Sequence, residues 1–296
     1  MKSILNEHKS NVALIVGNGV NRYRFAKSTN SWHDLLMQLA EEHFPSRLKE
    51  VPKGVSLTEF YDVLELKTKN NRLEKNLQQK FCDRMVFWKP FEQHKRIIEW
   101  AQQNNNPLLT TNFDRVLADA GGLKLLRTKR DGFTDFYPWE SYYGSNEIID
   151  PSKEFGLWHI NGMIEYHRSI RLGLTHYMGS VERARKWIHR ENELKLFSGK
   201  NISRWKGYKS WLHIIFNTPL LVFGLGLEEN EVFLRWLLIE RARYFKKFPS
   251  RKKNAWYVYN KSQDNPGKLF FLEGVGIKAV QVDGYDYIYG PKVWEQ

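Results

Sequence analysis

Cysteine is almost absent from this 296-residue chain: Cys82 stands alone, which excludes an intramolecular disulfide and any zinc cage built on CxxC pairs. Nothing in it therefore requires an oxidising compartment. Also missing is any uncharged apolar run near the length of about 18 residues that a spanning helix needs, and the opening MKSILNEHKS has no apolar signal-peptide core. The expectation is a cytoplasmic protein, neither secreted nor membrane-embedded. Internal repeats and low-complexity linkers are lacking too, so the simplest architecture is one domain over residues 1–296. Acidic residues are outnumbered, 33 Asp and Glu against 46 Lys and Arg, for a formal charge of +13. That excess either suits polyanionic partners, nucleic acid or a dinucleotide's phosphates, or forms a solvated basic surface. The clusters Arg183-Arg185-Lys186, Arg241-Arg243-Lys246-Lys247 and Arg251-Lys252-Lys253 are too short to name DNA or RNA as the substrate.

What is abundant is apolar and aromatic. A hydrophobic share of 42% is ample for a large core, and most of the aromatic residues belong in it, Trp158 and Trp236 included. Val12 to Val16 is a continuous apolar run ending in Gly17, the pattern of a strand buried on both faces of a parallel sheet. Ser31 then precedes an apolar stripe, Trp32, Leu35, Leu36, Leu39 and Ala40, at helical spacing, with Asp34 placed to close a capping box. Residues 51 to 103 carry helical stripes and no strand-like run, which predicts a helical insertion at about 45–103. Pro107 to Thr111 reads as a second short strand, followed by Asn112-Phe113-Asp114 and a helical Arg115 to Ala118.

Three later segments repeat this juxtaposition of apolar run and polar or glycine residues. Phe155 to Trp158 leads to His159 and Asn161-Gly162, Ser169 to Gly173 leads to Thr175-His176-Tyr177, and Leu220 to Phe223 leads to Gly224-Leu225-Gly226. Roughly 175 to 216 reads as helix, Glu231 to Phe245 as a helix apolar enough to be buried on most sides, and 255–259 and 277–282 as late strands. Ligands of open α/β sheets bind outside the carboxyl ends of the strands, where these polar residues cluster.

Each motif has a functional and a structural reading. Gly17-Asn18-Gly19-Val20-Asn21 either lets backbone amides approach a pyrophosphate or is a tight strand-to-helix turn. Asn112 and Asp114 either bond ribose hydroxyls and hold a water, or Asn112 caps a helix beginning at Phe113. His159 either exchanges a proton near neutrality or is structural, and Asn161-Gly162 alone reads as a hairpin turn. Arg171 either reaches a phosphate or pairs with an acid on a neighbouring helix.

Taken in order, the glycine turn, TTNFD, HING and the late GLG resemble the sirtuin fold family over nearly the whole chain. The resemblance implies an α/β fold with a Rossmann-like parallel sheet flanked by helices, and NAD in the crevice. It makes Gly17 to Asn21 the phosphate loop, Asn112 and Asp114 the pair beside the nicotinamide ribose and catalytic together with the histidine His159, Thr111 a cofactor-binding candidate next to them, and Gly224 and Gly226 the turn lining a ribose. Asp283 to Tyr287 resembles the segment closing over adenine, and Arg171 joins the binding candidates. Protein-deacylating sirtuins carry a zinc module on two cysteine pairs, which one cysteine cannot build; the helical insertion stands in its place and no metal is expected. The chain resembles instead the sirtuin-like effectors of bacterial antiphage systems, which degrade NAD to nicotinamide and ADP-ribose. NAD+ is then a substrate, and control falls to a homo-oligomer or a separate regulatory partner, through which nucleic acid can also act. Competing readings are a deacylase or ADP-ribosyltransferase, and a non-catalytic subunit that senses NAD or ADP-ribose or binds nucleic acid.

Overall fold

The apolar run after Val12 forms β1 (Ala13–Val16), which is fully buried because both its edges and both its faces are covered. It lies between β2 (Leu108–Thr110) and β6 (Leu220–Phe223), parallel to each, in the register Leu14 to Leu108 and Leu14 to Leu221. The remaining strands are β3 (Lys124–Arg127), β4 (Ser141–Gly144), β5 (Leu157–His159), β7 (Ala255–Asn260) and β8 (Lys278–Val282). They complete one eight-stranded sheet in the order β3-β4-β5-β2-β1-β6-β7-β8. The computed structural model describes residues 1–24, 31–43, 48, 50–68, 76–129, 131–200, 203–229 and 231–295.

Six neighbouring strands, from β5 to β8, are parallel. Counted along the chain they stand in the order 3-2-1-4-5-6, that of a doubly wound sheet, whose crevice opens where the direction of winding reverses. Here that point is the carboxyl end of β1. The chain is thus a mixed α/β protein with a mostly parallel, helix-flanked sheet, compatible with a Rossmann-like fold.

Alternate strand residues face opposite layers, as a period of two requires. Ala13, Ile15, Val222 and Tyr257 pack with α8 (Leu174–Arg185), α9 (Trp211–Asn217), α10 (Val232–Lys247) and α11 (Pro266–Gly274). Leu14, Val16, Leu221 and Val258 face the other way, onto α1 (Lys2–Glu7), α2 (Gly19–Arg22), α6 (Glu92–Gln103), α7 (Val116–Ala120), α12 (Asp286–Tyr289) and α13 (Pro291–Trp294). Each large aliphatic buried there contributes about 1.5–3 kcal/mol. A third apolar cluster joins α3 (Trp32–His43), α4 (Leu57–Lys67) and α5 (Leu77–Met85) to Phe113, Ile170 and Leu172. The helices of 51–103 therefore divide: α4 and α5 build this separate layer over the strand ends, while α6 packs directly on the sheet. Of the expected insertion, residues 45–47, 49 and 69–75 lie outside the described residues.

The structure departs from the sequence reading in three places. β3 and β4 form an antiparallel hairpin, and β4 runs antiparallel to β5, where no strand was expected. Ser169 to Gly173 is not a strand: it follows a 3-10 turn at Ile164–Ser169 and runs as a loop into α8, with Arg171 buried inside. Between α8 and α9 the chain leaves helical continuity through a π turn at Lys186–Arg190 and short 3-10 turns.

Candidate functional site

A cleft of about 650 Å³ opens at the winding reversal. Its floor is the carboxyl ends of β1, β2, β5 and β6, its far end reaches Val258 and Tyr285, and its roof is Trp32, Leu35, Phe81, Met85 and Trp88 of the third layer. The volume lies within the usual range for a small-molecule site.

Two glycines let the floor form. A Cβ on Gly17 would lie 2.5 Å from the Gly224 carbonyl oxygen, and Gly224 itself has φ +67, a conformation that side chains resist. The β1 and β6 turns therefore touch backbone to backbone. This contact also uses donors: Gly17 N–H donates to Phe223 O (3.1 Å) and Gly19 N–H to Gly224 O (2.8 Å), while Val20 and Asn21 N–H donate back to Gly17 O and Asn18 O. Four of the five amides expected to approach a phosphate thus have partners within the fold, and the positive side chains at the rim are Arg22 and Arg24, the latter paired with Asp286 (3.5 Å).

Below the cleft runs a hydrogen-bonded chain of side chains. Phe91 N–H donates to His94 Nδ1 (3.0 Å), so His94 donates from Nε2 to Asn21 Oδ1 (2.9 Å). The Asn21 amide then donates to Asn18 Oδ1 (2.8 Å) and to Asp114 Oδ2 (3.0 Å). The other Asp114 oxygen accepts from Val116 N–H (2.9 Å). Both oxygens are thereby held. Burial pushes the Asp114 carboxyl up to about 6, against these two donors, which favour its charged form.

Asn112 does not cap a helix. α7 begins only at Val116, and Asp114 closes that turn. The Asn112 backbone is fixed instead, its N–H on Thr110 Oγ1 (3.1 Å) and its carbonyl facing His159 Nδ1 (2.8 Å). A carbonyl can only accept, so His159 carries its proton on Nδ1. Burial lowers its pKa to about 4, which leaves a neutral imidazole near pH 7. Asn161-Gly162 makes no hairpin; Gly162, at φ +98, turns the chain so that the Asn161 carbonyl accepts from Arg171 N–H (2.9 Å).

Of the residues singled out in the sequence, Asn18, Gly19, Thr111, Asn112, Asp114, Gly224 and Gly226 line the cleft. Gly17, Val20, Asn21 and His159 stand behind its wall, buried. Asp283 is exposed and does not line it, whereas Tyr285, Ile288 and Tyr289 just beyond do. Arg171 does not line the cleft either: its guanidinium donates to Ser180 Oγ (2.7 Å) and to the carbonyls of Arg168 and Phe136. Tyr177, named beside it, does line the cleft.

Sequence reasoning missed Asn161 as a wall residue, and Glu231 and Tyr289 altogether. Five buried polar atoms on the cleft residues have no partner: Trp32 Nε1 on the roof, and Asn112 Nδ2, Asn161 Oδ1, Glu231 Oε2 and Tyr289 Oη. Burial pushes Glu231 up to about 7, with Glu228 adding and the Asn161 side chain opposing. Stranded polar groups cost about 1–3 kcal/mol each, so their convergence on one cavity marks a place for a polar ligand. Among the described residues no group of three His, Cys, Asp or Glu is placed to hold a metal, and no helix is long and apolar enough to cross a membrane.

Comparison with protein-family models gives no match, and comparison with curated proteins gives none either.

Proposed function

We propose that this cleft binds NAD+ and that the protein hydrolyses the bond between nicotinamide and ribose, as a sirtuin-like NAD+ glycohydrolase. The observation that carries the reading is the convergence of five unpartnered polar atoms on the cleft at the reversal point of a 3-2-1-4-5-6 sheet, the place where such sheets take dinucleotides. Asn112, Asn161 and Glu231 receive the nicotinamide ribose. The adenosine extends toward Val258, Ile288 and Tyr285, with the pyrophosphate facing Arg22 and Arg24 at the rim. Rupture of the glycosidic bond develops positive charge on the ribose, and nicotinamide leaves as a neutral molecule without need of an acid. Asn112 orients the ribose and water, Asp114 contributes negative charge beneath it, and His159 acts through the Asn112 backbone it holds.

The order of motifs extends this reading to a toxic effector of antiphage defence, held inactive by assembly or by a separate partner. Incubating the purified protein with NAD+ and separating the products tests it: nicotinamide and ADP-ribose in equal amounts are expected. Intact NAD+ at every protein concentration, with no binding of ADP-ribose, would sink the proposal.

A further inference from the structure

The hydrolysis just described needs a group to take the proton of the attacking water, and the cleft offers three ionisable side chains near the reacting end. His159 is not on the wall, and its Nδ1 is engaged by the Asn112 carbonyl. Asp114 is on the wall, but Asn21 and the Val116 amide occupy both its oxygens. Glu231 differs from both: it lines the cleft, and its Oε2 is buried with no hydrogen-bond partner. It stands at the start of α10, its backbone N–H donating to Glu228 O (3.0 Å), beside the Asn161 side chain.

The groups around it do not neutralise it. From α8 comes Tyr177, fully buried, whose phenol feels the charges of both Glu231 and Arg171; from the preceding loop comes Glu228, whose own partner is Lys268 (3.4 Å). Arg235, one turn along α10, turns its guanidinium to the Leu227 carbonyl (3.3 Å). A carboxyl kept for stability is expected to be ion-paired when buried, so one with only the Asn161 side chain for support and with Oε2 left unpartnered on a cavity wall points to chemistry.

We propose that Glu231 is the proton acceptor for the water that hydrolyses NAD+, an inference that rests on the glycohydrolase reading. The water oxygen forms its bond to ribose C1′ as the bond from C1′ to the pyridine nitrogen breaks. That bonding pair stays with the nitrogen, giving neutral nicotinamide. The water's proton passes to the Glu231 carboxylate and from there to solvent, so NAD+ and water yield nicotinamide, ADP-ribose and one proton. Because burial holds Glu231 near 7, the basic form is lost as pH falls, and turnover declines about tenfold per unit below that value.

Azide separates this role from a structural one, since it attacks C1′ as an anion with no proton to give up. Turnover and products are measured from pH 5.5 to 9 for wild type, Glu231→Gln and Glu231→Ala, with and without azide, each variant checked by its melting temperature. The expected result is a loss of about 100-fold or more in the Gln variant together with its acid limb, and azide restoring Glu231→Ala by forming an azido-ADP-ribose. A Gln variant with wild-type turnover and an unchanged limb overturns the role, as does a loss that azide leaves unrepaired. Wild-type protein that never turns over NAD+ fails the glycohydrolase reading and this role with it, whereas the two preceding results fail the role alone.

Discussion

The two walls of the cleft are built on opposite principles. The sheet wall is polar and held from behind: the Asn112 backbone by Thr110 and His159, Asp114 by Val116 and by Asn21, which His94 holds in turn, while the Asn112 amide is left facing the cavity without a partner. The helical wall is apolar, made of Trp32, Leu35, Phe81, Met85 and Trp88, and joins the sheet through Phe113, whose ring meets Trp32 and Phe81 edge-on at 6.4 and 6.1 Å. A rigid polar floor fixes reacting groups without reorganisation, while an apolar roof excludes water and contributes contact area. Chemistry therefore belongs to the floor and affinity to the roof.

The largest effect expected on that contrast comes from Asn112→Ala. With its backbone still held, the fold survives and NAD+ turnover falls about 1,000-fold, equivalent to about 4 kcal/mol; turnover kinetics with a melting curve check it. Next is the stability cost of the unpaired carboxyl. Glu231 has a folded pKa raised above its unfolded value, so the native state binds the proton more tightly and stability falls as pH rises from about 4.5 to about 7. Glu231→Gln removes that loss. The variant's advantage over wild type is expected to grow through this window to about 3 kcal/mol and stay level above it, read by denaturant unfolding at several pH values. A gap that stays constant with pH would place the carboxyl in solvent.

His159→Gln tests whether the floor acts through its supports. The lost grip on the Asn112 carbonyl lowers kcat about tenfold, with KM little changed and the pH profile intact between 6 and 9, because the imidazole is already neutral there. A loss as deep as that of Asn112→Ala would make His159 a reacting group. The smallest effect belongs to the roof: Trp88→Ala raises KM about fivefold and leaves kcat within about twofold, and a reversed split would contradict the division between the walls.

These walls were unequally legible in the amino-acid sequence. The floor's strands announce themselves because β1 and β6 are buried on both faces and end in glycine, so the polar residues after them stand out. β3 and β4 do not: Lys124 to Arg127 is flanked by charge and half exposed at the sheet's edge, and Ser141 to Gly144, though buried, has no aliphatic residue. Ser169 to Gly173 has a strand's apolar alternation but spends it on burying Ile170 and Leu172 against the helical layer. Glu231 escaped notice because an acidic residue at a helix start usually needs no other explanation than the helix dipole. His94 and Gln93 escaped because two polar positions on an amphipathic helix look solvated, yet both are buried under the glycine turn, Gln93 donating to Val20 O (3.0 Å).

Enclosure of NAD+ between floor and roof can be seen outright in a structure of Asn112→Ala protein crystallised with NAD+. Enclosure predicts an intact dinucleotide with the nicotinamide ribose beside residue 112 and Glu231 and the adenine near Val258 and Tyr285. An empty cleft at saturating NAD+, or the dinucleotide bound elsewhere, would contradict it.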